Sequence, residues 1–214
     1  MRDDAALFDA WCAGDKSAGA ALFDRHYEPV ARFFHNKVDD AASADLVQAT
    51  FLACTEARER FRHGSSFRTF LFAIAHNLLF KHYRTRRTRS AREAAVPDEE
   101  LDFALVSSAD LAPSASTALR VRQEMRLVLD ALRHVPVECQ EVLELHYWEQ
   151  MDTDSIATVV GVPQGTVKSR LARGRRLLGE RLAAEPVPRA LLESTLSDLD
   201  GWARGLRERL LPQP

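Results

Sequence analysis

A formal net charge of −2 on 214 residues, with 29 Lys and Arg against 31 Asp and Glu, excludes general polyanion binding through bulk charge. Cys12, Cys54 and Cys139 are too few and too far apart for a disulfide framework or a Cys-x-x-Cys metal site, which points to a reducing compartment and a cytoplasmic protein. No apolar run approaches the roughly 20 residues that span a bilayer, and the start, MRDDAALFDAW, is acidic where a signal peptide is positive, so neither membrane insertion nor export is expected.

Sparse glycine and proline, no β-branched alternation and a dominance of Ala, Leu and Arg predict an all-α fold. The length suits two small domains, each with its own core. Residues 4 to 38 read as a short helix and then a longer one, with Leu22, Phe23, Tyr27, Val30, Phe33 and Phe34 on a buried face. Pro29 inside that pattern predicts a kink or a break. The next helix is expected from Ala41 or Ser43 to about Arg60, with Leu46, Ala49, Ala53 and Ala57 inward. Asp45, Val47, Gln48 and Phe51 then lie partly outside the core stripe. Exposed Val and Phe beside Asp and Gln fit a partner-docking surface or ordinary helix packing, and the residues alone leave both open.

The polar stretch RHGSS, Arg62 to Ser66, ends that helix, and another starts near Phe67. Phe70, Leu71, Ile74, Ala75, Leu78 and Leu79 form its apolar stripe, which stops where a basic run begins. Lys81, Arg84, Arg86, Arg87, Arg89 and Arg92, with Tyr83 among them, suit a negatively charged backbone with bases to stack. A solvated helix end favoured by its own dipole is the plainer alternative. Residues 93–117 then carry Glu93, Asp98, Glu99, Glu100, Asp102 and Asp110 without a Lys or Arg. So long an acidic connection reads as a flexible tether between two domains.

Ala118 to Arg133 and Val137 to Glu149 read as two further helices, separated at Val135-Pro136 and apolar at Val121, Met125, Val128, Leu129 and Leu132, then at Val142, Leu143 and Leu145. His146 beside Tyr147 reads as a packed or surface histidine, since no second ligand lies at metal spacing. Asp152 to Leu178, DTDSIATVVGVPQGTVKSRLARGRRLL, has the form of a helix-turn-helix. Asp152 or Thr153 can cap a first helix whose inner face holds Ile156, Ala157 and Val160. Gly161 permits the left-handed turn, and Pro163 sits at the edge of the second helix. There Val167, Leu171, Gly174 and Leu178 face inward, Gly174 allowing close approach to a neighbour. Lys168, Ser169, Ala172, Arg173 and Arg176 are left outside, with Arg170 and Arg175 on the flanks, as a major groove requires. After Pro186 and Pro188, Leu192, Leu196, Leu199, Trp202 or Ala203, Leu206 and Leu210 mark an amphipathic C-terminal helix over residues 186–214.

Three of these segments, in this order, resemble bacterial sigma factors of the extracytoplasmic-function (ECF) type. DLVQATFLA, Asp45 to Ala53, is similar to the family segment that binds the clamp helices of RNA polymerase. FRTFLFAIAHNLLFKHYR, Phe67 to Arg84, resembles the helix that reads and opens the -10 element. GVPQGTVKSRLARGRRLL, Gly161 to Leu178, resembles the helix that recognises the -35 element. The resemblance implies a sigma region 2 domain over residues 1–92 and a sigma region 4 domain over 118–185, with the acidic linker between them threading the RNA exit path of polymerase. It further implies that Asp45, Val47, Gln48 and Phe51 grip core polymerase. Arg60, Phe61, Arg62, His63, Ser65 and Ser66 would form the loop that holds a flipped base, whose extrusion costs about a few kcal/mol.

By the same resemblance Asn77, Lys81, Arg84 and Arg87 contact the downstream element. Lys168, Ser169 and Arg173 read base edges of the upstream element, with Gln164, Thr166, Arg170 and Arg176 beside them. Core RNA polymerase and promoter DNA are the implied partners, and an anti-sigma factor is a further one that the family allows. No cofactor, metal or catalytic residue is implied, because polymerase supplies the chemistry. A conventional helix-turn-helix regulator is the rival reading, and it would need a ligand or dimer domain that residues 1–92 do not resemble.

Overall fold

The computed structural model describes residues 3–61, 64–94, 102–103, 105–109 and 123–184. The linker is therefore only partly among the described residues, and the expected C-terminal helix over 186–214 lies outside them. Among the described residues there are eight α-helices and no strand: α1 (Asp4–Cys12), α2 (Lys16–His35), α3 (Asp40–Ala57), α4 (Phe67–Ala94), α5 (Gln123–Arg133), α6 (Val137–Tyr147), α7 (Thr153–Val160) and α8 (Gln164–Ala184). A short 3-10 turn, Arg58–Arg60, follows α3. The all-α expectation holds. The chain divides into two units, the first built on α1 to α4 and including Thr158–Gly161, the second built on α5, α6, the start of α7 and α8 with His35–Asp40.

In the first unit the side chain of Asp3 caps α1 by accepting from the Ala6 N–H at 2.7 Å. Gly14, at φ +102°, turns the chain. Asp15 then accepts from Ser17 N at 2.9 Å and from Ala18 N at 3.2 Å, satisfying the first turn of α2. Of the kink or break expected at Pro29, the break does not occur: the helix runs on to His35. One missing N–H removes one backbone bond, while Leu22, His26, Val30, Phe33 and Phe34 bury a stripe that continues on both sides of the proline. Tyr27, expected on the buried face, is exposed and stacks on Phe51, with centroids 6.3 Å apart and planes at 11°.

The inner face of α3 is turned relative to expectation. It holds Leu46, Val47, Thr50 and Cys54, whereas Ala49, Ala53 and Ala57 are only half-buried. Val and Cys remove more apolar area from water than the alanines do. Thr50 can join them because its hydroxyl donates to the Leu46 carbonyl at 2.7 Å. In α4 the buried stripe is Phe67, Leu71, Phe72, Ala75, Leu79 and Phe80, and it extends to Tyr83 and Ala91. Phe8 of α1 meets Phe61 at 4.9 Å and Phe67 at 5.5 Å, so α1 closes the end of the unit where the loop after α3 enters α4.

In the second unit Val128, Leu129 and Leu132 of α5, Val142, Leu143 and Leu145 of α6, Ile156 of α7, and Val167, Leu171, Leu178 and Leu182 of α8 are buried apolar residues. At Gly174 α8 packs tightly on α6, since a Cβ there would lie 2.9 Å from Leu143 Cδ1 and 3.3 Å from Cys139 Cβ. The same unit holds a buried polar network. Lys37 Nζ donates to Glu144 Oε2, Gln140 Nε2 donates to Glu144 Oε1 at 2.9 Å, and Arg133 Nε donates to Asn36 Oδ1 at 2.9 Å. Each charge in it has an opposite charge or a polar partner, as burial demands.

Candidate nucleic-acid interface

The helix-turn-helix is assembled from local rules. Asp152 Oδ1 accepts from the Ser155 N–H at 2.7 Å and caps α7. That hydrogen bond holds the Asp152 carboxyl below the usual carboxylate range. Gly161, at φ +67°, makes the turn, and the carbonyl of Pro163 accepts from Thr166 N at 2.9 Å to open α8. Gln164 Nε2 donates to Thr153 Oγ1 at 3.0 Å, tying the start of the second helix to the start of the first.

With Val167, Leu171, Gly174, Leu178 and Leu182 buried, Lys168, Ser169, Ala172, Arg173 and Arg176 of α8 face solvent together. Thr166 and Arg170 are half-buried at the edge of that face. Several of the arginines are already committed. Arg170 Nη2 donates to Glu138 Oε2 at 2.6 Å, Arg175 Nε to the Tyr147 hydroxyl at 2.6 Å, and Arg176 Nη1 to Glu180 Oε1 at 2.6 Å. Ser169 Oγ donates back to the Thr166 carbonyl at 2.8 Å. Glu138 and Tyr147 were not legible as partners of α8, since 32 and 28 residues separate the pairs. His146 packs on Tyr147 at 4.9 Å and lies 3.1 Å from the Met151 carbonyl through Nδ1, as a structural histidine would.

On α4, Asn77, Lys81, Arg84 and Arg87 are exposed at spacings of four and three residues and share one face, with Arg86 and Arg89 exposed beside them. Tyr83 corrects an expectation. It is 8% exposed and belongs to the core of the first unit, because it continues the buried row from Leu79 and Phe80. It cannot serve as a surface platform for a base. Of the loop, Phe61 packs between Phe8 and Phe70, 4.9 and 4.8 Å away, and Ser66 Oγ accepts from Thr69 N at 3.0 Å as the cap of α4. Ser65 is half-buried. Arg62, His63 and the side chains of Arg60 and Arg92 lie outside the described residues.

On α3, Asp45 and Gln48 are exposed, and Phe51 is half-buried against Phe23 at 4.8 Å. Val47 is not part of an exposed patch: at 5% exposure it is a core residue, for the reason given for α3 above. Leu52 and Tyr27, both large and exposed, flank Phe51 instead. Leu52 lies four residues after Gln48 on the same helix face, a signal that periodicity alone carries. Among the described residues no group of three or more His, Cys, Asp and Glu is placed to hold a metal ion, and no helix is long and apolar enough to cross a membrane. The three cysteines are free thiols, and burial pushes that of Cys54 up to about 12.

Two family models match the chain: Sigma-70 region 2 over residues 22–89 and Sigma-70, region 4 over residues 125–178. The ECF RNA polymerase sigma factor SigL of Mycobacterium tuberculosis is 30% identical over 172 residues, which cover 78% of this chain and 89% of SigL. The ECF RNA polymerase sigma-E factor of Haemophilus influenzae is 25% identical over 179 residues, covering 84% of this chain and 95% of that protein. Among solved structures, the sigma factor RpoE of Bartonella quintana, in complex with the anti-sigma factor NepR, shares the fold with a TM-score of 0.61 at 20% identity, over 78% of this chain and 97% of RpoE. CnrH in complex with the cytosolic domain of CnrY aligns with a TM-score of 0.55 at 25% identity, over 85% of this chain and 98% of CnrH. The chain belongs to the ECF type of RNA polymerase sigma factors and serves promoter-specific initiation of transcription.

Proposed function

We propose that the chain acts as a non-catalytic subunit, working in the cytoplasm, that joins core RNA polymerase and gives it a promoter address. In this reading residues 1–92 and 118–185 are the region 2 and region 4 domains. The face of α3 bearing Asp45, Gln48 and Phe51, extended by Tyr27 and Leu52, docks on polymerase, with Val47 supporting it from within. The loop from Arg60 to Ser66 and the α4 face of Asn77, Lys81, Arg84 and Arg87 engage the downstream element, while α8 engages the upstream element through Lys168, Ser169 and Arg173. Gln164, Thr166, Arg170 and Arg176 border that contact. The observation that carries the reading is the exposed row on α8, set opposite a buried stripe on the second helix of a helix-turn-helix.

A conventional regulator is disfavoured by the region 2 match, which lies on the half of the chain such a regulator would use for a ligand or a dimer contact. Two structural neighbours are each held by another protein, the sigma factor RpoE by the anti-sigma factor NepR and CnrH by the cytosolic domain of CnrY. An inhibitor protein that withholds this chain from polymerase fits the same fold. The test is run-off transcription by purified core polymerase with and without the full chain on genomic fragments, with start sites mapped. New starts that share an upstream and a downstream element are expected. A chain that neither co-purifies with core polymerase nor shifts any start site would overturn the reading.

A further inference from the structure

We propose that Glu138 is a specificity-determining positioning residue: its carboxylate, fixed by Arg170, holds Arg173 so that the free edge of that guanidinium meets the major groove in one orientation. The proposal rests on the reading of α8 as the upstream-element helix.

Glu138 lies in the first turn of α6, and its side chain is 13% exposed. One of its oxygens takes the 2.6 Å bond from Arg170, whose side chain is 21% exposed. Its other oxygen lies 3.5 Å from Arg173 Nη1, on a side chain 42% exposed. One carboxylate thus serves two guanidinium groups from adjacent turns of α8, and it serves them unequally. The short, shielded bond is a fixed strut, and its planar donor fork sets where the second oxygen points. The long, open contact leaves Arg173 accessible while biasing which way its side chain leans. Arg170 acts through Glu138, to whose carboxylate its Nη2 is committed. Arg175 and Arg176 are tied to Tyr147 and Glu180, which lie off this carboxylate, so the bias is particular to Arg173.

The physical gain is in ordering. An arginine that reads a base must give up much of its rotamer freedom, and a base edge with two acceptors rewards only one presentation of the fork. A side chain already leaning in that direction loses less freedom on the right base. On the wrong base the same lean gains nothing. A contact to phosphate, which tolerates many orientations, does not use it. Discrimination therefore depends on the reach of the carboxylate and not merely on its charge.

The experiment uses holoenzyme reconstituted from core polymerase and the full chain. The probes are a promoter fragment that the wild-type holoenzyme selects from a pool randomised over the upstream element, single-base variants of it, and a scrambled fragment of equal length. Glu138→Gln and Glu138→Asp should each lower the preference for the selected fragment by about two- to ten-fold, with the loss concentrated at one base position. Glu138→Asp keeps the charge and withdraws the carboxylate, so it separates reach from field. In an Arg173→Ala background neither substitution should change the preference further. Thermal melting of each variant shows whether it is folded, and the aspartate variant carries the test should the glutamine variant fail to fold. An unchanged preference in Glu138→Asp, or equally raised affinity for all fragments in Glu138→Gln, would overturn the role of Glu138 while leaving α8 as the reading helix. Failure of the wild-type holoenzyme to select any fragment would overturn the reading of α8 and this proposal with it.

Discussion

Arg173 and Arg86 have the same side chain on exposed helical surface, yet their surroundings differ, and the proposed reading gives them different work. Arg173 projects from α8 between Lys168 and Arg176 with Glu138 beside it, whereas Arg86 stands in a dense cationic run on α4. Arg173→Ala should cost about 1 to 3 kcal/mol on a matched upstream element and relax base preference there, by loss of a base-edge contact. Arg86→Ala should weaken matched and scrambled promoters alike and reduce the slope of log affinity against log salt by about one, by loss of a phosphate contact. Affinity titrations of both variants over a salt series check this, and equal effects on base preference would refute the division of labour. The two arginines were legible as candidate nucleic-acid contacts because a basic face opposite an apolar stripe is a local pattern. The link from Arg173 to Glu138 was not, because nothing in the spacing of residues 35 apart says they meet.

At the scale of the elements, α1 and α2 are joined through packing and charge together. The Trp11 ring lies where a side chain at Gly19 would sit, 2.5 Å from an added Cβ, and a rigid indole cannot swing aside as a flexible chain end would. Gly19→Ala should therefore destabilise the chain by about 1 to 3 kcal/mol in thermal or urea denaturation. Beside this contact Asp4 binds Arg25 and, at 2.7 Å, His26. Burial holds His26 below its ordinary value of 6.5, outweighing the pull of Asp4. The unfolded chain therefore takes up more protons than the folded one as pH drops through about 6.5, and stability must fall on acidification. Burial pushes the Asp4 carboxyl up, but His26 and Arg25 together outweigh it and hold it below its usual 3.8, so a second loss follows at still lower pH. His35 is lowered by burial in the same direction. His26→Asn should thus flatten part, not all, of the fall in melting temperature between neutral pH and pH near 5.

The whole molecule joins a net charge of −2 to two local cationic faces, on α4 and on α8. Charges act over about 8 Å at physiological salt, so a phosphate responds to each face as a local cluster and not to the net charge of the chain. Docking on polymerase is a separate property. Leu52→Glu places a charge on the exposed apolar patch beside Phe51 and should weaken assembly with core polymerase by about ten-fold or more while leaving the melting temperature unchanged. Titration of labelled core polymerase measures it, and undiminished assembly would place the docking face elsewhere. The residues by themselves determined the helical fold, the helix-turn-helix with its Gly161 turn and inward Val167, Leu171, Gly174 and Leu178, and the family, because capping, turn chemistry and periodicity are written within a few positions of one another. Only tertiary structure decided which way α3 turns, so that Val47 is core while Leu52 and Tyr27 are exposed, and that Tyr83 is buried. It also decided that Arg170 and Arg173 of α8 meet Glu138 and that Arg175 meets the Tyr147 hydroxyl. Those outcomes depend on how much area each face can bury against neighbours distant along the chain, a competition that local pattern does not encode.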